Sequence, residues 1–292
     1  MTTQTLARVR AFSSLVKLSH TIFALPFAAS AVVLASARPH LPLTLGRALA
    51  MLVAMVAART AAMAYNRYLD RDIDAHNPRT RDREVPSGIV APKAALALTL
   101  AASAVFVLAA ASLGTWPLLL ALPVLTVLLG YSWTKRFTWG SHLFLGLALA
   151  LAPGGAWIAM GAAPEPAIVA LMVAVLTWVS GFDVLYSLQD EHFDREHGLY
   201  SIPARFGTGG AVVISAALHV LTVFALVLCG VWLARGSAFF VGIAVIAALL
   251  VYEHALVGRG NLAKIDRAFF DINGYVSVAF FALTALDAWL GR

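Results

Sequence analysis

Charge is what this sequence has least of. Asp, Glu, Lys and Arg together make up 12% of its 292 residues, while 61% are hydrophobic. A water-soluble domain carries about a quarter charged residues, so this shortage excludes an ordinary soluble enzyme. A single cysteine, Cys229, lies in an apolar run and excludes an intrachain disulfide. There is no Walker lysine and no G-x-G-x-x-G frame. The "GTGG" at 207–210 reads as a turn before an apolar run, not as a phosphate loop. His76, His192 and His197 fall in polar loops without the spacing of a zinc site. No stretch is polar enough to form a separate soluble domain, so a single domain over 1–292 is expected.

Long apolar runs fill the space that charge leaves. A lipid-spanning helix needs about 20 mostly apolar residues. Runs bounded by charge, Pro or Gly fall at about 19–37, 46–69, 93–113, 116–134, 141–161, 166–188, 210–234, 237–256 and 268–290. They predict an all-α, polytopic membrane protein with nine transmembrane helices. The first run, preceded by Arg8, Arg10 and Lys17, has some features of a secretion signal. The remaining runs anchor the chain many times over, so it reads as the first span.

Basic residues orient these spans. With the N-terminus in the cytoplasm, sixteen of the 21 Lys and Arg residues fall on the inner side. Only Arg38, Arg47, Arg235 and Arg292 fall outside, and Arg59 lies within the second helix. This is the positive-inside pattern. It assigns the net charge of +6 to topology and a site, with no nucleic-acid partner.

Acids concentrate at two helix ends. In "NRYLDRDID", Asn66, Asp70 and Asp74 are spaced by four. Each such step turns a helix by only about 40°, so the three oxygen-bearing side chains share one face. Arg59 lies seven residues before Asn66 on nearly that face; an intramembrane Arg points to an anionic partner. Asp72 points elsewhere and should be solvated or paired with a neighbouring Arg. In "DVLYSLQDEHFD", Asp183, Asp190 and Asp194 repeat the device, with Tyr186 beside the same stripe. Helices two and six run in the same sense, so both ladders should open to the cytoplasm.

One charge cluster at a helix end is ordinarily a solvated loop. Two with matching carboxylate spacing are a site, because converging carboxylates need cations to coexist. Carboxylate and amide oxygens suit Mg²⁺, which commonly binds one or two carboxylates together with substrate phosphates. The neighbouring Arg and Lys residues suit the same phosphates. The ligand implied is a lipid diphosphate, its head at the inner surface and its tail among apolar helices.

These residues resemble the two signature motifs of the UbiA superfamily of membrane prenyltransferases. The likeness extends to "NPRTRDREVPSG", "YSWTKRFT" and "HTIFALPFA", in order along nearly the whole chain. Within the superfamily, "ARTAAMAYNRYLDRDIDAHNPRT" and "SIPARFG" look most like the 4-hydroxybenzoate polyprenyltransferase branch, which includes similar proteins with a naphthoate acceptor. The resemblance implies nine helices around a central cavity, with cytosolic cap segments at about 70–92 and 190–209. It implies Mg²⁺-dependent transfer from polyprenyl diphosphate to a small aromatic acceptor in a bacterial-type inner membrane, in contact with membrane lipid. Carried over by position, Asn66, Asp70 and Asp74 would hold one Mg²⁺–diphosphate unit, and Asp190 and Asp194 the other. Asp183 and Tyr186 would stand beside them. Lys135 and Arg136 match the family's basic pair, and Arg71 and Arg83 add positive charge near the diphosphate. Arg59 and Lys17 are candidates for the acceptor's carboxylate. Tyr131 also belongs to the substrate site, although Ser132 follows it where the family often has Pro.

Other acceptors remain open within the family: dihydroxynaphthoate, haem, chlorophyllide or a glycerol phosphate. A cation-coupled transporter is the rival from another class. Its site would lie near the midplane on broken helices, often within inverted repeats, whereas these acids sit at helix ends.

Overall fold

The structure is a computed structural model that describes residues 15, 21–38, 40–257, 265 and 268–291. Among the described residues the secondary structure is helical, with no strand. In a lipid setting backbone polar groups must be satisfied within the segment, and a helix does this locally. The helices are α1 (Thr21–Ser36), α2 (Leu45–Leu69), α3 (Arg71–His76), α4 (Pro92–Leu113), α5 (Thr115–Thr134), α6 (Ser141–Ala159) and α7 (Pro166–Tyr186). A 3₁₀ turn (Ser187–Asp190) leads into α8 (Glu191–Glu196), followed by α9 (Ile202–Trp232), α10 (Ser237–Val257) and α11 (Asn273–Leu290).

Eight stretches among the described residues are long and apolar enough to cross a membrane. They coincide with the second to ninth expected spans. At the first, a shorter apolar helix, Phe23–Ser36, qualifies by composition but not by length. The residues before Thr21, with Lys17 and the N-terminal arginines, lie outside the described residues apart from Leu15.

Punctuation follows the residues that enforce it. Pro92 and Pro166 sit in the first turns of α4 and α7, where a missing N–H costs nothing. Gly114, at φ +129°, separates α4 from α5, a backbone state that residues with a Cβ avoid. One expected boundary moves. The seventh span was expected from about 210, yet α9 begins at Ile202. Ser201 caps it by accepting from Ala204 N at 3.3 Å, and Pro203 occupies its first turn. The expected turn at 207–210 becomes a kink inside α9, at Gly207 with φ +72° and ψ +173°.

The chain forms two compact units, one built on Ala48–Trp133 and the other on Ile22–Arg47 and Thr134–Arg292. In the first, Leu15, Ala64, Val85, Val90 and Ala95 form a buried cluster, with Tyr68, Ala94 and Leu98 against it. That cluster fastens the turn-rich segment after α3 to α2 and α4. In the second unit α7 is the core helix, with every residue from Thr177 to Phe182 buried, and it packs most extensively on α9 and α6.

Small residues let α7 approach its neighbours closely. A Cβ on Gly146 of α6 would meet Leu176 O at 2.3 Å, and one on Gly181 would meet the His219 ring at 2.4 Å. Aromatic rings fill the remaining interior. Phe27 lies 4.9 Å from Trp178 and 4.8 Å from Phe280, and Phe269 lies 5.2 Å from Phe182 and 4.2 Å from Tyr186. Buried polar groups are linked in series. Trp178 Nε1 donates to Asn273 Oδ1 at 2.8 Å, and Asn273 Nδ2 donates to Glu253 Oε1 at 2.7 Å.

Candidate active site

The first acidic motif straddles a helix break. Leu69 ends α2, Asp70 takes φ −88° and ψ 4°, and α3 restarts at Arg71. The expected face survives because the four-residue hydrogen bonds run through the break. Asp70 N donates to Asn66 O at 2.9 Å and Asp74 N to Asp70 O at 2.7 Å. Asp70 and Asp74 are each only 3% exposed. The Asp72 side chain is 80% exposed and lies 3.4 Å from Arg71 Nη2, as its position off the ladder requires.

Cations and donors hold these acids in place. Arg83 Nη1 donates to both Asp74 oxygens at 2.9 Å. Asn66 Nδ2 donates to Asp70 Oδ2 at 2.7 Å and lies 3.4 Å from Ser132 Oγ. Asn66 Oδ1 accepts from Arg67 Nη1 at 3.1 Å. Arg67 can only donate and an ionised Asp70 can only accept, which fixes the amide orientation. Here Asn66 presents nitrogen, not oxygen, to Asp70; ligating a metal through Oδ1 requires the amide to turn. Tyr131 lies within electrostatic reach of Asp70, Arg67 and Arg59. Arg71 stays local, donating to Tyr68 O at 2.7 Å with its guanidinium 4.9 Å from the Tyr68 ring centre.

The second motif occupies the end of α7, the 3₁₀ turn and α8. Asp190 closes the 3₁₀ turn and Asp194 lies in α8, both half-buried. Asp194 accepts from the Ser201 hydroxyl and lies within electrostatic reach of Asp190, Lys135 and His142. Lys135 and Arg136 occupy the turn after α5, and Lys135 O accepts from Tyr200 N at 2.8 Å. Asp183 Oδ2 lies 2.7 Å from His142 Nδ1.

The structure thus gathers Asn66, Asp70, Asp74, Arg83, Arg59 and Tyr131 in one unit, and Asp183, Asp190, Asp194 and Lys135 in the other. Lys17 lies outside the described residues. Three residues emerge that the motifs did not single out, Arg67, His142 and Ser201, while Ser132, noted only as a departure after Tyr131, meets Asn66. Arg67 entered the sequence reading only as an inner-side charge, yet it is 2% exposed. A signal existed for it, since a long cation directly beside Asn66 at the end of a span is costly unless paired. His142 gave a weaker signal, because its partner lies 41 positions away.

The donor set fits a hard divalent ion. It consists of carboxylate and amide oxygens, and Asp74 already takes a guanidinium where neutralising charge is needed. Among the described residues no group of three or more His, Cys, Asp or Glu side chains forms a metal cage by itself. Mg²⁺ commonly binds through only one or two carboxylates together with substrate phosphate, so acids from either motif would suffice once a diphosphate is bound.

Comparisons with known proteins place the chain in a family. The UbiA prenyltransferase family model matches residues 24–282. The chain is 31% identical over 240 residues to the 4-hydroxybenzoate octaprenyltransferase of Vibrio cholerae serotype O1, covering 79% of this chain and 81% of that protein. The apo structure of a UbiA homolog from Aeropyrum pernix K1 matches with a TM-score of 0.83 and 36% identity, covering 92% of this chain and 98% of that one. A UbiA homolog from Archaeoglobus fulgidus bound to GPP and Mg²⁺ shares the fold, with a TM-score of 0.72, 18% identity, and coverage of 94% and 99%. With both acidic motifs at helix ends and a family match running through nearly all its helices, this chain belongs to the UbiA prenyltransferase family.

Proposed function

We propose that this protein transfers a polyprenyl group from polyprenyl diphosphate to a small aromatic acceptor, 4-hydroxybenzoate or a related hydroxynaphthoate, at the cytoplasmic face of a bacterial-type inner membrane. The observation that carries this reading is the state of the motif acids. Asp70 and Asp74 are buried at the end of an apolar span, and Asp74 is gripped through both oxygens by Arg83. Such a site favours a ligand that brings cations and phosphate at one end and hydrocarbon at the other. Similarity to a 4-hydroxybenzoate octaprenyltransferase supports the aromatic acceptor.

Asn66, Asp70 and Asp74 would hold one Mg²⁺–diphosphate unit, and Asp190 and Asp194 the other. Bound Mg²⁺ would supply charge neutralisation for the departing diphosphate. Lys135, Arg136, Arg83 and Arg71 would add positive charge for the diphosphate, and preorganised charge of this kind is often the largest contribution to catalysis. The prenyl C1–O bond breaks and its electron pair leaves with the diphosphate. A ring carbon of the acceptor bonds to C1, and the proton displaced from that carbon passes to diphosphate or a nearby carboxylate. Apolar surroundings exclude the water that would capture the allylic cation. Arg59, with Lys17, is assigned to the acceptor's carboxylate, and Tyr131 stands beside Arg59.

Purified protein in detergent, given Mg²⁺ and labelled GPP with a panel of acceptors, tests the proposal. Labelled 4-hydroxybenzoate or naphthoate is expected. Product from haem or a glycerol phosphate alone would overturn the acceptor assignment.

A further inference from the structure

His142 belongs to none of the motifs, yet both of its ring nitrogens have partners. It lies in the first turn of α6, with a side chain 5% exposed. Ile202 N, at the start of α9, donates to His142 Nε2 at 3.3 Å. A backbone N–H can only donate, so Nε2 is the unprotonated nitrogen and Nδ1 carries the hydrogen. Nδ1 lies 2.7 Å from Asp183 Oδ2 and therefore donates to it. A bond from a ring N–H to a carboxylate at this distance is charge-assisted and among the stronger side-chain contacts.

Packing holds the helix that carries the ring close against α7. Ser180 Oγ lies 3.1 Å from His142 O, and Gly146, one turn along α6, removes the Cβ that would push α6 away from α7. Asp183 keeps 22% of its side-chain surface exposed, so it is not sealed within the α6–α7 contact. Three elements therefore meet at one imidazole: α6 carries it, α7 supplies the acid, and α9 fixes its tautomer.

We propose that His142 is a positioning residue for Asp183, holding Oδ2 so that Oδ1 is presented to substrate, and tying that carboxylate to the chain that follows the second acidic motif. This rests on the prenyl-transfer reading. It adds a part to the machinery that resemblance did not supply, since His142 acts through Asp183 and not on the diphosphate.

The test is a double-mutant cycle in detergent-purified full-length protein, with labelled GPP, Mg²⁺ and whichever acceptor the wild type uses. His142→Phe should lower kcat by about 10- to 100-fold, the usual effect of removing an orienting partner, with a smaller change in the KM for GPP. His142→Asn retains a donor near the Nδ1 position and should recover most of that loss. In an Asp183→Asn background, His142→Phe should cost little more, because the partner it orients is already altered. Equal loss in both backgrounds, or no rescue by Asn, would show a general structural role and overturn the proposal.

A second readout needs no turnover. In ¹⁵N-histidine NMR of the resting protein, His142 should show a protonated Nδ1 and an unprotonated Nε2. The opposite tautomer would overturn the proposal even if the variants were unstable. Wild-type protein that prenylates no acceptor would instead count against the function itself, leaving the tautomer result intact.

Discussion

Replacing Gly146 with Ala tests the fold and the site together. A Cβ at 146 would lie 2.3 Å from Leu176 O and 2.3 Å from Ser180 Oγ. The serine can rotate away, but the Leu176 carbonyl is backbone in the middle of α7 and cannot. Ordinary contact distances begin near about 3.5 Å, so α6 must withdraw from α7 by roughly 1 Å. Overpacking of this kind costs about 1–3 kcal/mol, and the better helix propensity of Ala offsets up to about 1 kcal/mol. A clash with backbone belongs at the upper end of that range, giving a net destabilisation of about 2 kcal/mol.

The movement also reaches the site. His142 lies one turn before Gly146 on the same helical face, and a rigid shift would stretch its 2.7 Å contact with Asp183 toward the limit of hydrogen bonding near about 3.5 Å. Gly155→Ala is the control, because it lies in the same helix with nothing within 4 Å of its added Cβ. Thermal unfolding in detergent, followed by tryptophan fluorescence, should place Gly146→Ala below the parent. Gly155→Ala should melt at or above the parent. Prenyl transfer should fall with the first variant and hold with the second. If Gly146→Ala melts with Gly155→Ala and turns over normally, the close approach of α6 and α7 is not what the structure describes.

Asp70→Asn or Asp190→Asn should lower transfer by about 100-fold or more, the scale for losing one element of a preorganised charged site, with unfolding midpoints near the parent's. Asp72→Asn should be mild, since that side chain is 80% exposed; equal damage at Asp72 and Asp74 in the product assay would sink the helical-face argument. Arg83→Gln leaves the buried Asp74 carboxylate without its guanidinium partner. It should destabilise the metal-free protein by about 2–3 kcal/mol, below the usual range for a buried pair because Arg83 is partly exposed. Glu253→Gln keeps an oxygen for Asn273 Nδ2 and should retain stability. Glu253→Ala removes that buried acceptor and should cost about 1–3 kcal/mol in denaturation.

The legible part of the fold came from local rules. Runs of apolar residues between charges, prolines and glycines located the helices, because in lipid a segment must satisfy its own backbone. The one displaced boundary is instructive. The glycines at 207–210 announced a turn, while the serine cap at Ser201 and the proline at 203 announced a helix start. Both signals were present; the cap set the start, and Gly207 yielded as a kink.

The sequence by itself determined that Asn66, Asp70 and Asp74 share a face, that Asp72 does not, and that a second run of spaced acids, Asp183, Asp190 and Asp194, follows. Four-residue spacing has this consequence on almost any helix, and it survived even a break at Asp70. Only the tertiary structure decided which cation answers each acid, which way the Asn66 amide points, and that Asp183 leans on a histidine from another helix. Those choices depend on how closely helices approach and where loops return, and they bring together residues 9, 41 and 60 positions apart. Periodicity fixes angles within one helix; it carries no information about the distance to the next.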